Sequence, residues 1–228
     1  MLILAVDTST EVCTVGLAED QRLLGEITLG HGQTHARFLM QAIDQVFLLT
    51  GTALTDVQAF VAGRGPGSFT GLRIGISTIK GLAMACGKPL VGISSLAVLA
   101  HQAPGNRDLV CPMLDARRKE VYWGLYRQEG DQLVAQLPEK VTNALSVLDV
   151  ADGSCTFIGN GALLYKKTLE QAGRRNDYWP PPECHTMRAA VLARLGWHRL
   201  MQGESDPAQS FTPVYLRKSD AEVNRDGL

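Results

Sequence analysis

One stretch constrains this 228-residue chain more than any other: Gly63-Arg-Gly-Pro-Gly-Ser-Phe-Thr-Gly-Leu-Arg-Ile-Gly-Ile-Ser-Thr-Ile-Lys-Gly-Leu-Ala83. It follows an apolar run, Val57 to Ala62, that reads as a buried strand. Three glycines around a proline then make a turn that no strand continues through. Ser68 stands where a helix N-cap belongs. From Phe69 to Cys86 there is no proline and only two charges, Arg73 and Lys80, on one face. Gly87 ends the helix as a C-terminal cap. Gly71, Gly75 and Gly81 inside it each cost about 1 kcal/mol against alanine. Close approach of another backbone is the usual reason for such residues, so this strand–turn–helix is expected at the centre of the fold, packed on nearly every side.

Three phosphate or nucleophile motifs nearly fit here, and each fails on a named residue. No glycine is followed at P-loop spacing by Gly-Lys-Ser/Thr. Gly65 and Gly67 have Thr70 where a dinucleotide fingerprint needs its third glycine. Ser68 is flanked by Pro66 and Thr70 where a hydrolase elbow needs glycines. The formal net charge is −1, which argues against holding nucleic acid by bulk charge. The five cysteines (Cys13, Cys86, Cys111, Cys155, Cys184) are odd in number with no Cys-x-x-Cys pair, so they read as reduced thiols of a cytosolic chain. No signal peptide and no membrane-spanning run is visible.

In chain order, Met1 to Val6 is a strand that delivers Asp7-Thr-Ser-Thr10 into a polar turn, with two further strands of a meander up to Leu29. A carboxylate and three hydroxyls at such a turn suit phosphate and magnesium in actin-like ATPases and sugar kinases. The alternative is a plain polar hairpin turn. His31 and His35 are four apart, but Gly30 and Gly32 argue against a helix there, so a metal pair is not expected; Thr34 is the expected N-cap. The helix from His35 to Thr50 is apolar over more than one stripe, so one face should meet the sheet and the other a further helix or another protein. Leu90 to Ile93 is a strand parallel to Val57–Ala62. A third helix follows from a Ser94 or Ser95 cap, then a linker at 103–108.

The second half repeats the grammar of the first: strand Leu109–Leu114, the polar turn Asp115-Ala-Arg-Arg-Lys-Glu120, strand Val121–Tyr126, and a third strand from Gln132. Helices are expected at Glu139–Val150, Leu163–Ala172 and Thr186–Gln202. His185 and His198 are expected as surface or core residues, and the tail after Pro213-Val-Tyr-Leu-Arg217 as frayed.

With Asp7-Thr-Ser, the run from Gly63, Asp115-Ala-Arg with Glu120-Val-Tyr, and Pro213-Val-Tyr-Leu-Arg in one chain, the sequence resembles the TsaB family, once called YeaZ, over nearly its whole length. The resemblance implies an α/β, actin/Hsp70-like (ASKHA) fold of two ribonuclease-H-like lobes, divided here at 103/104. It implies a cytosolic scaffold that partners TsaD, TsaE and TsaC in placing the threonylcarbamoyl group on adenosine 37 of tRNA. Such a chain would be a homodimer when alone and would reach tRNA through the complex rather than directly. TsaD-like proteins carry a metal-binding His-x-x-x-His after the central helix. Ser95 and Leu99 stand at those places, and a leucine cannot ligate, so no metal and no catalytic residue is expected. ATP or ADP would bind only weakly, or in the complex, at Asp7, Thr8, Ser9 and Thr10. The partner interface is expected at His35, Phe38, Leu39, Gly71, Leu72, Arg73, Gly75 and Lys80. The competing reading is an actin-like-fold ATPase or kinase using Asp7 and Asp115 around magnesium. A peptidase lacks any visible nucleophile–base pair.

Overall fold

The computed structural model describes residues 1–30, 35–104, 109–130, 132–151, 153–174 and 177–217, with the His35 side chain excepted. The expectations for His31, Thr34 and the His35 side chain therefore lie outside the described residues.

The amino-terminal run forms β1 (Leu2–Asp7), followed by β2 (Cys13–Glu19) and β3 (Arg22–Leu29) as an antiparallel meander. Helix α1 (His35–Thr50) leads to β4 (Ala59–Gly65), α2 (Phe69–Cys86) and β5 (Leu90–Ser94). The sheet order is β3-β2-β1-β4-β5, with β4 parallel to both β1 and β5, as the strand–helix–strand spacing requires. The strand before the central helix runs two to three residues later than its apolar content suggests. Gly63 and Gly65 are still paired to β5, and the turn comes at Pro66–Gly67. Gly63 is there for space rather than for turning: a β-carbon on it would lie 1.7 Å from Asp7 Oδ2.

Alternation along β1 sorts the packing. Leu2, Leu4 and Val6 face an outer core shared with α1 and α2, while Ile3 and Ala5 face an inner core. The inner core is lined by α3 (Ser95–His101) and α5 (Ala189–Met201) and by one face of the second sheet, including Val110 and Leu114. Ser94 is the α3 N-cap, accepting from the amides of Leu96 and Ala97.

The second sheet is built on β6 (Leu109–Asp115). β7 (Glu120–Trp123) and β8 (Tyr126–Glu129) both run antiparallel to β6 in one register, Met113 opposite Trp123 and Val110 opposite Tyr126. They are one strand interrupted at Gly124–Leu125, opposite Pro112, which has no N–H to give. β9 (Gln132–Ala135) and β10 (Lys140–Asn143) pair on its outer side, and β11 (Cys155–Ile158) lies parallel to β6. This repeats the order of the first four strands of the other lobe, and α4 (Asn160–Gln171) follows β11 as α2 follows β4. The helix expected over Glu139–Val150 is instead β10 plus a short 3-10 turn, Ala144–Asp149. Val141 and Thr142 are β-branched and find a free edge beside β7.

The layers run α1/α2, first sheet, α3/α5, second sheet, α4. The division at 103/104 separates the two sheets, but the chain crosses back afterwards, since α5 packs on β1, β2 and β5. The residues beyond α5 also return to the first lobe. Asp206 takes the Gly92 amide at 2.8 Å, Phe211 is buried in the outer core, and Val214 N donates to Arg64 O at 2.8 Å. Tyr215 stacks on Phe69 at 4.5 Å, and Arg217 bonds Ala116 O at 2.8 Å and pairs with Glu120. Up to Arg217 the chain is therefore a docked strap; the charged end expected to fray lies outside the described residues. No helix among the described residues is long and apolar enough to cross a membrane.

Candidate functional site: the cleft between the lobes and the outer helix face

The two lobes meet where β1 and β6 end, each in an aspartate. Asp7 is 1% exposed. Its Oδ1 accepts from Ser9 N at 2.9 Å and Ser9 Oγ at 2.7 Å, and its Oδ2 from Ser95 Oγ at 3.3 Å. Thr8 Oγ1 donates to Gly71 O at 2.7 Å, and Ser9 O accepts from Ser68 N at 2.7 Å. The turn is thus laced into the start of α2. Burial, then the Asp7 carboxylate, push the nearby Cys13 thiol up to about 11, so it is a neutral core residue at pH 7.

Across the cleft, Asp115 Oδ1 accepts the Arg117 amide at 2.8 Å, and Asn160 Oδ1 accepts the Asp115 amide at 3.0 Å. Arg117, Arg118 and Lys119 are all left-handed, with φ of 62°, 53° and 64°. Each such residue costs about 1 kcal/mol. The turn is held by Ala116 N to Glu120 O, by Arg217 on Ala116 O, and by Arg117 pairing with Glu11 at 3.2 Å. The cleft between the turns has a volume of about 320 Å³ and is lined by Ser9, Thr10, Ser68, Arg118, Asn160 and Arg217, among others.

Of the four residues expected to cradle phosphate, only Ser9 and Thr10 line this cleft. Asp7 and Thr8 are buried, with their polar atoms committed within the chain. The first turn therefore does not fit a phosphate by itself. The cationic groups come from the other lobe and from the strap, and sequence reasoning missed Asn160 and Arg217. Their signals were present in the Gly-Asn-Gly turn after β11 and in the Pro213–Arg217 motif. Ser95, at a place where a TsaD-like metal ligand is expected, bonds Asp7, and Leu99 is buried in the inner core.

The other candidate surface is the outward face of α1 and α2, which lie on the side of the first sheet away from the second lobe. Here the residue expectations need correction. Leu39, Gly71, Leu72 and Gly75 are buried inside the chain. A β-carbon on Gly75 would lie 2.2 Å from Thr8 Oγ1, so its missing side chain serves the chain's own β1 turn. Phe38 is half-buried. Arg73 is exposed and bonds Tyr215 Oη at 3.1 Å, and Lys80 bonds Gln209 O at 2.8 Å, so both brace the strap. What turns outward instead is Met40, Leu48 and Leu49 on α1 and Met84 on α2, with Leu48 at 71% and Leu49 at 76% exposure. Beside Met84 runs a track of small exposed residues four apart, Ser77, Gly81 and Ala85. A β-carbon on Gly81 would meet nothing within 4 Å.

Residues 30–225 match the family described as TsaD, tRNA N6-adenosine threonylcarbamoyltransferase. The tRNA threonylcarbamoyladenosine biosynthesis protein TsaB of Escherichia coli K12 is 31% identical, covering 97% of this chain and 96% of its own length. The TsaB of Bacillus subtilis 168 is 30% identical, covering 98% and 97%. A crystal structure of a Pseudomonas aeruginosa protein described as similar to the peptidase YeaZ superposes with a TM-score of 0.81 at 32% identity, covering 95% of this chain and 99% of that one.

Proposed function

This chain belongs to the TsaB family, and from that membership we infer that it is a non-catalytic scaffold of tRNA N6-threonylcarbamoyladenosine synthesis, binding and activating TsaD together with TsaE, with TsaC in the same route. The observation that carries this reading is the outward face of α1 and α2. Four large apolar side chains stand exposed on the side of the sheet that the second lobe leaves open. On an isolated soluble chain such exposure usually marks an interface. Gly81 adds to it. A helix glycine with nothing over it costs about 1 kcal/mol with no compensation inside the chain, and close approach of a partner helix supplies the reason.

The partner is a chain of the same fold, so its own α1 and α2 equivalents can close a four-helix contact. A second copy of this chain uses the same face when TsaD is absent. The cleft binds ATP or ADP only weakly, or when the complex completes it, because the donors of the Asp7 turn are already engaged. tRNA is reached through the complex, in the cytoplasm.

The test is Gly81→Arg. It places a long charged side chain on the outer face without disturbing the core, and burying it unpaired costs several kcal/mol. The variant is expected to fold, to run as a monomer and to lose TsaD in co-purification. A variant that folds and still captures TsaD puts the interface elsewhere.

A further inference from the structure

A second cavity, of about 500 Å³, opens at the other end of the seam between the lobes. It lies beside Val110, five residues before Asp115 on β6 and so about 17 Å from the cleft along the strand. α3 and α5 form one wall, and β6, β8 and β9 the other. Val110, Leu133 and Leu195 supply apolar lining, and His101, Arg194 and His198 supply basic lining. Gln128 and Gln132 come from the second lobe, and no carboxylate is among the described residues that line it.

The three basic groups are disposed to receive an oxyanion. His101 Nδ1 lies 2.9 Å from Ala97 O. A carbonyl only accepts, so Nδ1 carries the hydrogen and Nε2 is the nitrogen that titrates. Burial first, then the neighbouring Arg194 and His198, hold His101 below its ordinary value. An anion bound beside these groups would act in the opposite direction. Arg194 uses Nη2 on His101 O at 3.2 Å, one of its five donors. The His198 ring lies edge-on to Trp197, and its carbonyl accepts from the Gln202 amide at 3.3 Å. Cations near helix ends also complement the helix dipole. That alone would not need apolar lining or amides in the same cavity.

We propose that this cavity binds a small organic anion, its carboxylate or phosphate head against Arg194, His101 and His198 and its apolar body on Val110, Leu133 and Leu195. The site is independent of the docking face and of the cleft, and stands whether or not the scaffold reading does.

Imidazole proton resonances of the whole chain, titrated with phenylacetate and separately with phenyl phosphate between pH 5 and 8, read it directly. Saturable shifts at His101 and His198 with either probe, and a His101 pKa raised by the bound probe, are expected. The probe that binds more tightly assigns the head group. Inorganic phosphate, which lacks the apolar body, should bind at least about tenfold more weakly. Arg194→Gln should abolish saturation. Because Arg194 also braces α3, Gln132→Glu is the second variant: it adds one carboxylate at an exposed position of the lining and should weaken binding about tenfold with the fold intact. Non-saturable shifts with both probes, or unchanged binding in Gln132→Glu, would overturn the proposal.

Discussion

At Gly75 the first lobe leaves no room for a methyl group. With Thr8 Oγ1 2.2 Å from the position a β-carbon would take, Gly75→Ala forces the Asp7 turn off α2. Overpacking of this kind costs about 1–3 kcal/mol. Gly81→Ala makes the same chemical change where nothing lies within 4 Å, and helix propensity favours it by about 1 kcal/mol. Calorimetry should therefore show Tm falling for Gly75→Ala and rising by about 2–4 °C for Gly81→Ala. Equal shifts would mean that α2 does not sit on the β1 turn as described. The two glycines cannot be told apart in the sequence, because both are helix positions among apolar residues and only the tertiary neighbour differs. Glu139 is a second such case. Ser94 donates to its carboxylate across the lobe seam, and Tyr126 donates to it from within the second lobe. Burial nevertheless raises its pKa, against those bonds. A carboxyl raised in the folded state holds its proton more tightly there, so stability falls as pH rises from the unfolded value through the folded one. Glu139→Gln keeps an acceptor for both donors without the charge. Its urea midpoint should exceed that of the wild type by more at pH 7 than at pH 4, and the reverse order would contradict the assignment.

The element that joins the two candidate surfaces is the strap, Asp206 to Arg217. It lies along α2 through Lys80, Arg73 and Phe69 and ends on the left-handed turn of the other lobe. Tyr215→Ala removes the stack on Phe69, worth about 1 kcal/mol, and the acceptor of Arg73. Amide exchange at Val214 and across Ala116–Glu120 should quicken while the buried face of α1 stays protected. Unchanged exchange at the turn would show that the strap does not hold it. The regular elements were legible wherever pattern and caps agreed. α2 runs from Phe69 to Cys86 as its serine cap and terminal glycine indicate. β10 was not legible, because Lys140–Asn143 is too short for alternation to register and its partner β7 is distant in sequence. The Pro213–Arg217 motif was visible but its docking was not, because the strap's hydrogen bonds go to residues over a hundred positions away.

For the whole molecule, the duplicated lobe is the feature the sequence displays best, since strand, aspartate turn and meander recur in order. The sequence does not display which faces the duplication leaves bare. α1 is apolar around much of its circumference, but only the layer order shows that Leu48 and Leu49 point away from the second lobe. The same order puts the small-residue track at Ser77, Gly81 and Ala85 rather than at Gly71 and Gly75. On the proposed reading the chain acts through its outer helices, and its cleft is secondary. Reconstituted tRNA modification tests that most directly: threonylcarbamoyladenosine formed by TsaD, TsaE and TsaC is measured without this chain, with it, and with Gly81→Arg. Product is expected only with the wild-type chain, and none from this chain without TsaD. Product formed in its absence, by this chain alone, or equally well with Gly81→Arg would contradict the account.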